Sequence, residues 1–232
     1  MDYFFLQTVS QVYVIIMTIP IENFDVDCRL CPRLSDFLDE NKRDYPEYHA
    51  RPVAPFGVGD PSLLIVGLAP GMHGANATGR PFTGDHAGIL LYQTLYDYDF
   101  STAPTSVSSD DGLELLDCRI TNAVKCLPPQ NKPTGEEIRT CNAYLKAEID
   151  GLKSGACVLA LGGIAHSSVL RALGLKLKEY PFGHNNCHQL PNGVSLIDSY
   201  HCSRYNTNTR RLTTPMFKAV FKRARKLIEQ SK

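Results

Sequence analysis

The chain has 232 residues, of which 43% are hydrophobic, so it can bury a core of its own. Its 24 lysine and arginine residues balance 24 aspartate and glutamate residues, which excludes an overall field that attracts polyanions, and any nucleic-acid binding needs a local basic surface. The apolar run at 12–17 is too short to cross a bilayer and no signal-cleavage pattern follows it, so we expect a cytoplasmic protein without a membrane anchor.

Residues 1–17 are interpreted as a possible N-terminal extension, and residues 18–232 as one domain. In chain order, apolar runs and helical spacing predict a strand over 62–68, a helix over 87–98, a strand over 119–125 and a helix over 136–152. A strand over 156–161, a helix over 164–173, a strand over 194–200 and an amphipathic helix over 214–230 follow. Residues 101–111 are predicted to form an exposed loop. The alternation predicts an α/β fold with a mostly parallel central sheet and helices on both faces.

Four of the eight cysteines are grouped in a way that suggests a metal site. Cys28 and Cys31 form a Cys-x-x-Cys pair, and Cys126 and Cys141 flank a proline-rich stretch. Thiolates in this pattern bind zinc or an iron-sulfur cluster, with disulfides or free thiols as the alternative. Of the other four, Cys118 and Cys157 are expected to be buried thiols, whereas Cys187 and Cys202 have no assigned role.

Two loops leave the ends of predicted strands, where α/β proteins build ligand sites. The first, residues 67–85, contains five glycines that let the backbone approach a ligand, but it lacks the dinucleotide and P-loop spacings. The second, residues 201–213, begins with His201. His201 supplies an imidazole, to which the first loop adds an aromatic face from Phe82 and a carboxylate from Asp85, and the strand over 119–125 adds an amide from Asn122. This set suits a flat heterocycle such as a nucleobase.

The two loops and the third strand resemble the family-five, or type B, uracil-DNA glycosylases. The matching segments read GLAPG at 67–71, GRPFTGD at 79–85, TNAVKC at 121–126 and His-x-Ser-x-x-Asn-x-Asn-Thr-x-Arg-Leu-Thr at 201–213. The resemblance covers nearly the whole chain from Cys28 onward. It implies a three-layer α/β/α sandwich, and it favours a structural [4Fe-4S] cluster over zinc at Cys28, Cys31, Cys126 and Cys141.

The resemblance further implies a monofunctional DNA glycosylase that begins base excision repair on double-stranded DNA. Uracil is the expected base, with hypoxanthine as an extension, and it is flipped into a pocket formed by Gly71, Phe82, Asn122 and His201. A neutral His201 would stabilise the departing base anion. Leu68 stands where related families carry a water-positioning side chain, so Asp85 is expected to orient water or the sugar cation, and Asn122 to read the base or hold water.

For each of these residues a structural role is the alternative: a hydrogen-bonded structural group at a strand end for His201, a helix cap for Asp85, core packing for Phe82 and backbone pairing for Asn122. DNA contacts are expected from the second loop, at Arg204, Asn206, Arg210 and Arg211. The basic residues of the last helix are expected to form a solvated face.

Two departures from the family pattern lie in the second loop. Cys202 stands where proline often follows the histidine, and Arg210 stands where glycine is common. The rival function is a non-catalytic iron-sulfur nucleic-acid-binding protein that kept the pocket. The chain is expected to be a monomer, and a sliding-clamp partner has no support in the sequence.

Overall fold

The computed structural model describes residues 24–231, so the expected extension at 1–17 lies outside the described residues. The helices and strands, in chain order, are α1 Pro32–Asp44, β1 Phe56–Gly57, β2 Leu63–Gly67, α2 Ala75–Thr78, α3 His86–Asp97, β3 Cys118–Asn122, α4 Gly135–Asp150, β4 Cys157–Leu161, α5 Gly163–Ala172, β5 Cys187–Gln189, β6 Ser195–Ser199, α6 Arg204–Asn208 and α7 Thr214–Ser231. All eight predicted elements are present, seven of them within two residues of their expected bounds, and the strand predicted over 119–125 ends three residues early, at Asn122. The predicted α/β class is confirmed.

One sheet of six strands runs through the molecule in the order β1-β3-β2-β4-β6-β5. The four inner strands are parallel, and the two edge strands, β1 and β5, pair antiparallel with β3 and β6. Because both faces of the inner strands are covered, their sequences are continuous apolar runs rather than alternating ones. The carboxyl ends of β2, β3, β4 and β6 therefore meet at one edge of the sheet.

Alternate side chains of β2 enter two separate cores, as the period of two along a strand requires. Leu63 and Ile65 join a core with buried residues of α3 and α7, whereas Leu64 and Val66 join a core with those of α4 and α5. Helices thus cover both faces of the sheet, in the expected three layers. Within residues 24–231 no helix combines the length and apolar character that a membrane crossing needs.

Local capping fixes where two of the helices begin. The Asp85 carboxylate accepts a hydrogen bond from the Gly88 N–H at 2.8 Å, which confirms the predicted cap of α3. Before α4, Thr134 and Glu137 form a capping box, with Thr134 N–H donating to Glu137 at 2.7 Å and Glu137 N–H donating to Thr134 Oγ1 at 3.2 Å. These caps satisfy amide groups that the first helical turn leaves without partners.

Besides the short elements β1, α2, β5 and α6, which were not predicted, three regions differ from the sequence-based expectation. The helix α1 was not predicted, although it starts with proline and buries Leu34 and Leu38 at a spacing of four. Residues 101–111 form a loop that is only partly exposed, because its end is tied to the buried Arg80. The basic face of α7 is also not wholly solvated, since Arg225 stacks on Phe100 at 3.7 Å.

Candidate active site

The loops that follow β2, β3 and β6 enclose one cavity at the carboxyl edge of the sheet. Its volume is about 420 Å³. Both apolar and polar side chains line it, namely Leu68, Ala69, Gly71, Ala75, Phe82, Asp85, His86, Ala87, Asn122, Asn131, His201, Ser203 and Arg204. Four residues expected at the base pocket (Gly71, Phe82, Asn122, His201), and Asp85 as well, therefore share one cavity. Ligand sites of α/β proteins commonly lie at this edge.

Asn122 ends β3 directly opposite Gly67 of β2. It is 4% exposed, and its side-chain oxygen Oδ1 has no hydrogen-bond partner among the described residues. A Cβ atom at position 67 would lie 2.3 Å from that oxygen and 2.7 Å from the Phe82 ring. Glycine at 67 is thus a packing requirement of the pocket, because any side chain there would displace both groups.

Phe82 forms one wall of the cavity and adopts a strained backbone. Its φ of 57° lies in the left-handed region, which costs a non-glycine residue about 1 kcal/mol or more. The carbonyl of Phe82 lies close to Gly88, where an added Cβ would come within 1.9 Å of the oxygen. The ring faces the His201 imidazole with centroids 5.9 Å apart and planes inclined by 27°. The wall is therefore held by the backbone on one side and faces an imidazole on the other.

His201 follows β6 and its imidazole is uncharged at neutral pH, because burial lowers its pKa to about 4. No residue among 24–231 makes a hydrogen bond to its ring nitrogens. Its carbonyl accepts a hydrogen bond from Asn206 Nδ2 at 2.8 Å, which fixes the start of the second loop. The next residue, Cys202, is fully buried. The ring is consequently positioned by its backbone and has its nitrogens free for a ligand.

Asp85 serves as a helix cap and lines the cavity at the same time. One carboxylate oxygen accepts from Gly88, while the other lies 3.8 Å from where a Cβ of Gly71 would stand. Burial raises the pKa of the carboxyl, and the backbone N–H donors at the start of α3 oppose that rise. The structural role expected as the alternative is therefore present, and it does not remove Asp85 from the cavity.

The start of α6 contributes to the mouth of the cavity through Ser203 and Arg204. Arg204 is exposed at the rim, and Arg211 stacks over Tyr200 at 4.7 Å. Arg210 has a φ of 58°, so this chain carries arginine in a conformation that favours glycine. Of the four side chains expected at DNA, three arginines are exposed, whereas the amide of Asn206 points inward to His201.

Sequence reasoning missed Tyr205, the most exposed of the large hydrophobic side chains described. It is 71% exposed and stands on α6 directly after Arg204, which lines the cavity. The helix is tied to the far side of the cavity by a hydrogen bond of 3.1 Å between Thr207 and His86. Tyr205 lies four residues after His201 in the sequence, but only the fold shows that its side chain faces solvent.

The four grouped cysteines lie together beside the first loop, because the apolar cluster that contains them includes Ala69 and Met72 of that loop.

 One largely apolar cavity between α1, the end of β3 and α4 is lined by all four thiols, those of Cys28, Cys31, Cys126 and Cys141. None of them forms a disulfide. The Lys125 N–H donates to Cys141 Sγ at 3.3 Å, as backbone amides do towards thiolate ligands.

Four cysteine thiolates form a ligand set that both zinc and an iron-sulfur cluster accept. Among residues 24–231, no group of three or more His, Cys, Asp or Glu side chains is arranged to hold an ion.

Comparisons with known proteins agree with this geometry. The family model described as "Uracil DNA glycosylase superfamily" matches residues 54–225. The chain is similar to the type-5 uracil-DNA glycosylase of Thermus thermophilus, with 45% identity over 86% of this chain and 93% of the relative. It is also similar to the type-5 enzymes of Mycobacterium leprae, at 43% identity over 86% and 91%, and Pyrobaculum aerophilum, at 41% over 86% and 88%.

Proposed function

Because this chain belongs to the uracil-DNA glycosylase superfamily, and within it to the type-5 group, we propose that it removes uracil from double-stranded DNA as a monofunctional DNA glycosylase. The observation that carries this proposal is the cavity that Phe82, Asn122 and His201 share with Asp85. A base inside a duplex cannot reach such a cavity, so the target nucleotide must be flipped out of the helix.

Asn122 is the proposed reader of the base edge. Its unpartnered oxygen can accept the ring N–H of uracil, and its amide nitrogen can donate to the adjacent carbonyl. Hypoxanthine presents the same sequence of N–H and carbonyl groups, whereas cytosine and adenine present the opposite pattern. Deamination therefore converts a base that this amide rejects into one that it accepts, which supports hypoxanthine as a second substrate.

His201 is the proposed stabiliser of the leaving group. When the glycosidic bond breaks, the base departs with negative charge, and a neutral imidazole can donate a hydrogen bond to a base carbonyl without losing its own proton. A preorganised donor of this kind is worth about 3 kcal/mol, or a factor of about 10² in rate. Because the pKa of His201 is about 4, the neutral form is present throughout the physiological pH range.

Asp85 is proposed to act on the sugar side of the bond. Its carboxylate can orient the attacking water or stabilise the positive charge that develops on deoxyribose. Leu68 lines the same cavity and offers no polar atom for this task, which leaves Asp85 as the carboxylate in place. The cap hydrogen bond from Gly88 holds the group rigidly, so little reorganisation is needed during the reaction.

Tyr205 is proposed to occupy the gap that the flipped base leaves in the duplex. Flipping costs stacking energy, and an aromatic side chain inserted between neighbouring base pairs recovers part of it. Arg204, Arg210 and Arg211 are exposed on the same segment of chain as Tyr205 and can neutralise phosphates. The zero net charge of the chain makes this local basic rim the source of DNA attraction.

The decisive test uses a duplex that contains one uracil, followed by alkali cleavage of the abasic product. Strand cleavage at the uracil supports the enzyme, whereas tight binding without an abasic product supports the rival, a non-catalytic binding protein. His201→Ala and Asp85→Asn should each lower the single-turnover rate by about 10² or more. Full activity in either variant would end the role assigned to that residue. Duplexes with hypoxanthine or thymine measure the breadth of base selection.

We extend the proposal to a structural [4Fe-4S] cluster bound by Cys28, Cys31, Cys126 and Cys141. When bound, the cluster would supply a cross-link between α1, the end of β3 and α4, and the hydrolysis itself needs no electron. The Cys141→Ala variant should lose the brown colour and unfold at a lower temperature. Its relative preference for uracil and hypoxanthine should match that of the wild type, and a folded variant that lost only this preference would contradict a structural role.

A further inference from the structure

A buried ion pair fastens the segment 106–113 to the first pocket loop. Arg80 Nη1 lies 2.6 Å from Asp111 Oδ1, and the two side chains are only 6% and 10% exposed. The guanidinium also donates to Ser106 Oγ at 3.1 Å and to the Ser109 carbonyl at 2.6 Å. Its remaining face packs against Phe56 at 4.4 Å. The planar fork of arginine is thus engaged on several sides, which a flexible surface contact would not show.

Asp111 organises the segment from within. Its carboxylate accepts hydrogen bonds from the backbone N–H groups of Val107 at 2.8 Å, Ser108 at 3.3 Å and Leu113 at 3.0 Å. Burial pushes the pKa of this carboxyl upward, but Arg80 and these three donors hold it far below its ordinary value. Asp111 therefore stays charged in the folded protein, and the segment is folded around it.

The fastened segment reaches the residues on both sides of Phe82. Arg80 precedes Pro81 and Phe82, while Thr83, which follows them, pairs through Oγ1 with Ser106 Oγ at 2.7 Å. Phe82 lies between these two anchors in its left-handed conformation. A residue remains in such a conformation only when its surroundings hold it there. The anchors at 80 and 83 meet that requirement.

Resting on the proposed glycosylase function, we propose that Asp111 is a positioning residue that fixes the plane of Phe82 and thereby sets how large a base the pocket accepts. Asp111 does not line the cavity, so it acts through Arg80 and Ser106. A wall that cannot retreat penalises a two-ring base more than a one-ring base, because only the larger base needs the extra space. Loosening the anchors lets Phe82 relax and widens the slot between its ring and His201.

The test compares Asp111→Asn with the matched control Asp110→Asn, which makes the same charge change at the exposed neighbouring residue. For each protein, kcat/KM is measured on duplexes that carry uracil or hypoxanthine. In Asp111→Asn we expect the value for uracil to fall about tenfold and the hypoxanthine-to-uracil ratio to rise at least about fivefold. The ratio is independent of the fraction of folded enzyme, so a purely structural loss leaves it unchanged.

Hydrogen exchange of the free proteins supplies a readout that needs no activity. Amides of residues 80–88 should exchange faster in Asp111→Asn than in Asp110→Asn. If Asp111→Asn fails to fold, Ser106→Ala is the second variant, because it removes the hydroxyl that joins Arg80 to Thr83. It should also raise the amide exchange rates of residues 80–88 and the hypoxanthine-to-uracil ratio of kcat/KM. Unchanged exchange around Phe82, or an unchanged ratio, overturns the positioning role. Inactivity of the wild type on both duplexes would instead overturn the proposed function, and the exchange result would still separate the two failures.

Discussion

The partly buried imidazole of His201 should give this protein a pH-dependent stability that can be measured without DNA. Burial lowers its pKa from the ordinary 6.5 to about 4, so between these values the unfolded chain binds a proton that the folded chain does not. This contribution to the free energy of unfolding is present above pH 6.5 and is lost as the pH falls towards 4. With these two pKa values, the free energy of unfolding is about 2 kcal/mol lower at about pH 5 than at about pH 8.

The perturbation is His201→Gln, which removes the titrating group and keeps a polar side chain of similar reach. Urea unfolding, followed by circular dichroism at about pH 5 and about pH 8, gives four free energies, and the wild type should lose about 2 kcal/mol more than the variant. Other titrating groups, including Asp85, cancel in the difference between the two proteins. His73→Gln changes an exposed histidine and should behave like the wild type. Equal losses in wild type and His201→Gln would refute the reasoning.

Three further substitutions test the mouth and the floor of the cavity. Arg210→Gly relieves a left-handed backbone and should stabilise the protein by about 1 kcal/mol, seen as a melting temperature higher by about 2–4 °C; no increase would argue against strain at 210. Tyr205→Ala should lower kcat/KM about tenfold on duplex substrate and less on single-stranded substrate, and an equal effect on both would contradict a wedge role. Gly67→Ala would place a methyl group 2.3 Å from Asn122 Oδ1, so activity should fall at least about tenfold while circular dichroism stays near that of the wild type; retained activity would contradict the tight fit of Phe82 and Asn122.

The inner strands could be predicted from the sequence because burial on both faces demands an unbroken apolar run, as in Leu63–Gly67 and Cys157–Leu161. The edge strands Phe56–Gly57 and Cys187–Gln189 could not, since two or three residues carry no period and their pairing depends on a neighbouring strand. The first helix did leave a signal, a proline followed by leucines four residues apart, but the segment is otherwise polar.

In the site, the positions of Asn122 and His201 in the cavity could be predicted because each lies at or just past the carboxyl end of a strand, and parallel strands bring such residues to one edge. The left-handed backbone of Phe82 could not be read from its neighbours, because the contacts that anchor them include an ion pair between Arg80 and Asp111, 31 residues apart in the chain. The inward turn of the Asn206 amide was likewise invisible, since an asparagine in a polar loop looks the same whether it contacts DNA or its own backbone.

The last helix ends far from the cavity mouth, so a label can be attached at its end. Ser231 Oγ donates to the Gly155 carbonyl at 3.2 Å, just before β4 begins, so this terminus sits at the amino edge of the sheet, opposite the edge that bears the cavity. A fluorophore or an affinity handle attached there points away from incoming nucleic acid. Molecules tethered to a glass surface by that end would present an open mouth to the solution, which suits single-molecule observation of how one enzyme scans a long duplex.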